Sequence, residues 1–162
     1  MPEVPQPGPV AVTPATAADG TAPQRLCLSA DLAERGRALL FDVRHFREPA
    51  RAFVLRFEGR VVAYLNRCVH VPTEMDWQPG DFLDSSKEYI LCSIHGAAYL
   101  PRDGRCAAGP CGRGRLTALQ VDERDGQVYW YPSRDTRPAP PPSLLPAPSS
   151  PAPPLPSPPA TT

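Results

Sequence analysis

The sequence predicts a mostly β domain made of antiparallel hairpins. Three observations predict it: the apolar residues fall in short pieces, glycine-containing turn signals stand between them, and only one brief stretch looks capable of a helical turn. The pieces are Ala38 to Val43, Ala52 to Phe57, Val61 to Leu65, Tyr89 to Leu91, Leu119 to Val121 and Val128 to Tyr131, lengths that suit strands and not helices. The turn signals are Glu58-Gly59, Gln78-Pro79-Gly80-Asp81, Arg102-Asp103-Gly104 and Asp125-Gly126, each offering a glycine where the chain has to reverse. The helical stretch is Ser29 to Arg35, with Ser29 or Asp31 as its cap and Gly36 as its end. There is no internal repeat.

The two ends read differently. Of 24 prolines, six lie in residues 1–24 and twelve in residues 134–162, which leaves six for the middle. Proline fixes φ and removes a backbone donor, and the accompanying Ala, Ser and Thr bury little apolar area to offset the entropy of ordering. Residues 1–24 and 133–162 are therefore expected to be disordered tails, the second with polyproline II character and a passive, solubilising role. Residues 25–132 are the expected folded domain, of ordinary size.

Within that domain 15 Lys and Arg face 14 Asp and Glu, so the summed field favours neither nucleic acid nor an anionic membrane. No apolar run approaches the roughly 18 residues that a spanning helix needs, and no basic-then-apolar leader opens the chain. The expectation is a cytoplasmic monomer.

The chemistry concentrates in cysteine and histidine. Five cysteines, Cys27, Cys68, Cys92, Cys106 and Cys111, make metal binding a better reading than disulfides for a chain expected in a reducing compartment. Two of the three histidines stand beside cysteines, in Cys68-Val69-His70 and Cys92-Ser93-Ile94-His95. Each pair follows an expected strand, so each occupies a loop, and two such loops can meet at one end of a sheet. Thiolate and imidazole suit zinc or iron–sulfur chemistry, not calcium or magnesium. Zinc fingers of the Cys2His2 kind take two sulfurs from one segment and two histidines from a helix, whereas here each loop offers one of each. A binuclear centre with two thiolates on one iron and two histidines on the other fits this mixed pairing better.

Cys-x-His followed by Cys-x-x-His-Gly, here Cys68 to His70 and Cys92 to Gly96, resembles the signature of the Rieske [2Fe–2S] ferredoxin family. The resemblance covers roughly residues 25–132 and implies a Rieske-like β domain with two cluster-binding loops. It also implies one [2Fe–2S] cluster, with Cys68 and Cys92 on the inner iron and His70 and His95 on the outer one. Gly96-Ala97-Ala98-Tyr99 and the later Gly109-Pro110 are family-like too, the second as a third loop covering the cluster.

The departures also carry expectations. The 21 residues from Val71 to Leu91 exceed a minimal spacing and predict an extra hairpin or lobe. Thr73 and Ile94 stand where respiratory members carry a loop disulfide. Ala97 replaces the serine that hydrogen-bonds the cluster in high-potential members, which predicts a potential in the lower half of the Rieske range, roughly −150 to +300 mV.

Other residues receive plainer readings. Cys106 and Cys111, which enclose Ala-Ala-Gly-Pro, form a short disulfide over the proline loop or serve as extra ligands. Cys27 is a core thiol, His45 a surface residue, and Trp77 an anchor for the extra lobe. Acidic Glu74, Asp76, Asp81 and Asp84 contrast with basic Arg102, Arg105, Arg113 and Arg115, and could orient a partner.

The resemblance implies a non-catalytic carrier of single electrons that serves a redox protein partner such as a reductase or an oxygenase. The alternatives are a zinc-stabilised structural module or a redox-sensing cluster protein.

Overall fold

The computed structural model describes residues 21–141. In chain order it comprises β1 (Gln24–Leu28), a 3-10 turn (Ser29–Asp31), β2 (Leu39–His45), β3 (Glu48–Phe57), β4 (Arg60–Leu65), β5 (Ile90–Leu91), β6 (Ala98–Tyr99), β7 (Cys106–Ala108), β8 (Ala118–Arg124), β9 (Gln127–Tyr131) and β10 (Thr136–Pro138). Seven strands form one antiparallel sheet in the order β1-β9-β8-β4-β3-β2-β10, and β5-β6-β7 form a second. The mostly antiparallel β class expected from the sequence is the observed one. No helix among the described residues is long and apolar enough to cross a membrane.

The glycine signals act as their chemistry requires. Glu58-Gly59 and Asp125-Gly126 turn the β3–β4 and β8–β9 hairpins with φ of 51° and 73° and of 52° and 70°, the doubly positive pattern that matches strand twist. The β2–β3 turn has the same geometry without a glycine, at Phe46 (φ 48°) and Arg47 (φ 71°).

Strand β3 explains why Ala52 to Phe57 reads as a continuous apolar run. It lies inside the large sheet with both faces covered, so inward residues alternate between two cores. Phe53, Leu55 and Phe57 face the core that holds Tyr64, Met75, Phe82, Ile90, Cys92 and Tyr99. Ala52 and Val54 face the other, with Cys27, Val43, Leu119, Val128 and Trp130. Cys27 is thus the core thiol expected.

Several expectations change. Most of the proposed tails lies outside the described residues, but the folded chain runs past 132: Thr136↔His45 and Pro138↔Val43 make β10 the outer strand beside β2. Ser133 to Asp135 turn the chain back, with the Thr136 N–H on Ser133 Oγ at 3.1 Å. Proline is admissible there because an edge strand needs donors on one side only. His45 is half-buried, its Nδ1 2.8 Å from Thr136 Oγ1. The helical stretch shrinks to a single 3-10 turn, capped by the Leu28 N–H on Asp31 Oδ2 at 3.0 Å.

Between Leu65 and Ile90 there is the expected extra lobe, which has no full strand of its own but ends in a short antiparallel pairing onto β5, the Leu83↔Ile90 bridge, flanked by the Leu91 N–H on Phe82 O (2.7 Å) and the Asp84 N–H on Tyr89 O (3.0 Å). Polar bonds organise it. Buried Asn66 accepts from the Met75 N–H (2.8 Å) and donates to Asp76 (2.7 Å), and Asp76 in turn accepts from the Gly80 N–H (3.0 Å). Met75 and Phe82 plug the lobe into the core, while Trp77, 78% exposed, does not anchor it.

Across the sheet, Arg56 holds Glu123 in a two-point ion pair at 2.9 and 3.0 Å. Hydrogen bonding from Arg56 holds the Glu123 carboxyl below its ordinary value. The depressed group contributes stability above the unfolded-state pKa and loses it as pH falls through the folded value. Glu123→Gln is therefore expected to lower the denaturation midpoint at neutral pH and to have little effect once the carboxyl is protonated, as urea titrations at both pH values would show.

Candidate metal centre

Cys68 lies on the loop that leaves β4, and Cys92 directly follows β5. The first loop closes by the Cys68 N–H on Thr73 O at 2.9 Å. The second closes by the Cys92 N–H on Ala97 O and the Gly96 N–H on Cys92 O, both at 2.8 Å. The Ser93 N–H on Met75 O (2.9 Å) ties the loops to each other. The hairpin logic of the sequence therefore delivers both pairs to one place.

Donor atoms of Cys68, Cys92 and His95 all lie within 4.8 Å of one another. His70 falls outside that triplet, but its ring stands edge-on to that of His95 with centroids 5.1 Å apart. Depth separates the donor types: Cys68 and Cys92 are 1% and 0% exposed, whereas both histidines are exposed. The backbone N–H groups of His70 and Val71 favour the anion at Cys68, and those of Ile94 and His95 favour it at Cys92, whose Sγ is 4.0 Å from His95 Nδ1. Cys68 Sγ is also 3.3 Å from the Tyr99 hydroxyl, which accepts the Val69 N–H at 3.1 Å.

These surroundings favour the anion at one sulfur and oppose it at the other. Burial pushes the Cys68 thiol up, but the Tyr99 hydroxyl, the Val71 and His70 N–H groups and the neighbouring Cys92 outweigh it, and its pKa is lowered. Cys92 is raised, by burial first, with Cys68 adding to it against the pull of the His95 and Ile94 N–H groups. Two adjacent buried thiols resist ionising together, whereas a bound metal centre takes both as thiolates. Two buried sulfurs beneath two exposed imidazoles fit a [2Fe–2S] centre with unlike irons. Cys68 and Cys92 could supply the thiolates of such a centre, and His70 and His95 its imidazoles.

A third loop closes over the pair. Cys106 and Cys111 are joined as a disulfide, so of the two expectations for them the structural one holds. Gly109, at φ +84°, lies against the second loop: a Cβ there would be 2.6 Å from Gly96 O and 3.0 Å from Ala97 Cα, so only glycine permits this approach. The disulfide spans five positions, a closure worth about 2 kcal/mol on chain-entropy grounds. The Cys106→Ser, Cys111→Ser protein is expected to lose stability of that order and to release iron faster to a chelator, measured by denaturant titration and by bleaching of the visible spectrum.

Asn66, which shapes the first loop together with Asp76, does not stand out in the sequence. The signal that could have found it is a polar asparagine directly after an apolar strand.

The antiparallel fold and a two-loop site with paired sulfur and imidazole donors define an iron–sulfur domain class. The Rieske [2Fe-2S] domain family matches residues 22–132. The chain belongs to that family, and as such it binds one [2Fe–2S] cluster. Solved structures agree on the fold. The ferredoxin of carbazole 1,9a-dioxygenase from Nocardioides aromaticivorans superposes with a TM-score of 0.54 at 21% identity over 70% of this chain and 100% of that one. A chain in the complex of reduced oxygenase and oxidized ferredoxin in carbazole 1,9a-dioxygenase gives 0.52 at 22% over 67% and 92%. A chain of a fluorene-bound oxygenase and ferredoxin complex of the same dioxygenase gives 0.55 at 22%, over 76% of this chain but 33% of that one. No curated protein sequence matches.

Proposed function

We propose that Cys68, His70, Cys92 and His95 hold the cluster, and that the protein is a soluble, monomeric carrier that passes single electrons to a redox partner such as an oxygenase. The observation that carries the reading is the separation of donors by depth, with buried sulfurs behind an exposed imidazole pair. When bound, the cluster takes up and gives back one electron. The chain supplies the thiolate pair, the N–H groups that stabilise it and the loops that keep water from it. Val69 and Val71 flank His70, and Ile94 precedes His95; all three are more than 40% exposed, an apolar rim around the imidazoles that suits brief contact with a partner. The structural relatives named above include a ferredoxin and an oxygenase–ferredoxin complex, which supports a carrier role.

Anaerobically purified protein is expected to be reddish-brown, with equimolar iron and acid-labile sulfide and a Rieske-type paramagnetic resonance signal on reduction. A colourless zinc protein overturns the reading.

Ala97 is buried, with no hydroxyl to offer a cluster sulfur. Ala97→Ser is expected to raise the reduction potential by an amount on the order of tens of millivolts, because a hydrogen bond to sulfur stabilises the more negative reduced cluster. Protein-film voltammetry measures it.

A further inference from the structure

The β2–β3 turn and the segment from Arg134 to Pro138 enclose an open cavity of about 790 Å³, outside the cluster site. Arg44, Arg47, Arg134 and Arg137 line it with Phe46, and among the described residues of its lining Asp135 is the one carboxylate. The guanidinium groups of Arg44, Arg47 and Arg134 around that carboxylate already make a local excess of positive charge in a chain with no net charge. Arg35, Arg51, Arg56, Arg102 and Arg105 all form ion pairs, whereas Arg44, Arg47 and Arg134 form none among the described residues. Arg44 is held in place through Nε and Nη2 on Arg47 O at 3.2 and 2.8 Å, and the Phe46 N–H on Asp135 O (2.8 Å) joins the two walls.

The turn itself points to recognition. Phe46 and Arg47 both sit at positive φ, where glycine or asparagine is cheaper, and Phe46 is 66% exposed. Its ring leans on His45, with centroids 4.4 Å apart, so an aromatic and an arginine are presented rigidly at the tip. Phenylalanine and arginine are among the residues enriched at protein–protein interfaces.

Position links the groove to the cluster. Strands β3 and β4 are antiparallel, so the β2–β3 turn leaves the sheet at the end where β4 delivers Cys68, and the Asn66 N–H on Arg51 O (2.8 Å) continues that ladder. The charge of Arg67, next to Cys68, acts on His45. Arg51, farther along β3, is already paired with Asp42 (4.0 Å) and Glu74 (3.9 Å), so the uncompensated positive charge is confined to the groove, a small patch that suits a compact carboxylate cluster on a protein better than a long polyanion or a flat anionic membrane.

Resting on the carrier reading above, we propose that the arginine groove beside Phe46 is a docking surface for a redox protein with a carboxylate-rich face, held there while the cluster end exchanges an electron with it. The groove supplies attraction and orientation, and the imidazole rim supplies the contact.

The test uses the cluster-loaded full chain and an acidic flavodoxin in its two-electron-reduced form as donor. The flavodoxin loses one electron and the oxidised cluster gains it, followed by stopped-flow absorbance. The second-order rate is expected to fall steeply with salt. Arg44→Glu with Arg134→Glu is expected to lower the rate by roughly tenfold or more at low salt and to flatten the salt dependence, with visible spectrum and potential unchanged. Arg60→Glu with Arg124→Glu, at the opposite end of the sheet, is expected to change the rate by much less. Equal rates for the groove variant and the parent, or equal losses in both variants, overturn the docking surface while an intact cluster spectrum keeps the carrier reading. Groove-dependent binding of a single-stranded oligonucleotide or anionic vesicles, without an effect on electron transfer, also overturns it. A parent protein without cluster overturns the carrier reading itself.

Discussion

Cys92→Ser protein is expected to contain roughly a tenth or less of the parent's iron and acid-labile sulfide, because a serine oxygen replaces a soft thiolate. The site leaves little room for substitution. Cys92 is fully buried, its loop is closed on both sides by backbone bonds, and the Ile94 and His95 N–H groups favour an anion at the sulfur. A neutral hydroxyl there gives those donors a weaker acceptor and leaves Cys68 as the sole buried sulfur of the pair. Metal binding and folding share free energy, so the thermal midpoint should fall with the metal content. Cys27→Ser is the matched control: Cys27 is buried in the other core and should change stability without changing iron or sulfide. Metal and sulfide analysis of both variants beside the parent decides the matter, and parent-like content in Cys92→Ser would remove Cys92 from the ligand set.

The second large effect is expected from Phe53→Ala, at about 3–5 kcal/mol of lost stability. That is a large part of the roughly 5–15 kcal/mol that holds a domain together. Phe53 is fully buried on β3 and stacks on Phe82 at 3.7 Å between centroids, with Tyr64 at 6.0 Å. Phe82 belongs to the lobe between the cluster loops, so the missing ring opens a cavity between the sheet and the segment that leads into Cys92. Besides a lower urea midpoint, iron should be lost faster at concentrations of denaturant that leave the sheet intact. Phe41→Ala, whose ring is half-buried against Trp130 in the other core, should cost less and leave the rate of iron loss alone. A loss below about 1 kcal/mol at Phe53 would mean the lobe is not packed as described.

Much of the fold is legible in the sequence itself. The apolar pieces form β2, β3, β4, β5, β8 and β9 within a few residues because each carries its own pattern and its own turn chemistry. What escapes is short or locally ambiguous. β1, β6, β7 and β10 have two to five residues each and hold their shape through their pairing with other strands, and Gln24, expected in the first tail, opens β1 beside β9. The Phe46-Arg47 turn lacks the glycine that would have announced it. Trp77 reads as an anchor because aromatics are usually buried; Met75 and Phe82 take that place once Asn66 and Asp76 set the path of the lobe.

The same division runs through the candidate centre. Residue type and spacing alone single out Cys68, His70, Cys92 and His95 as candidates and pair them by loop, because metal chemistry depends on donor identity and short-range reach. Their depth cannot be read from the chain. Two sulfurs lie under the surface and two imidazoles on it because the covering residues come from the lobe, from Tyr99 and from the disulfide-held loop around Gly109, all brought together by the sheets. Arg44 and Arg134 likewise become one groove only when β10 pairs with β2, since burial and proximity are properties of the packed chain and not of any segment within it.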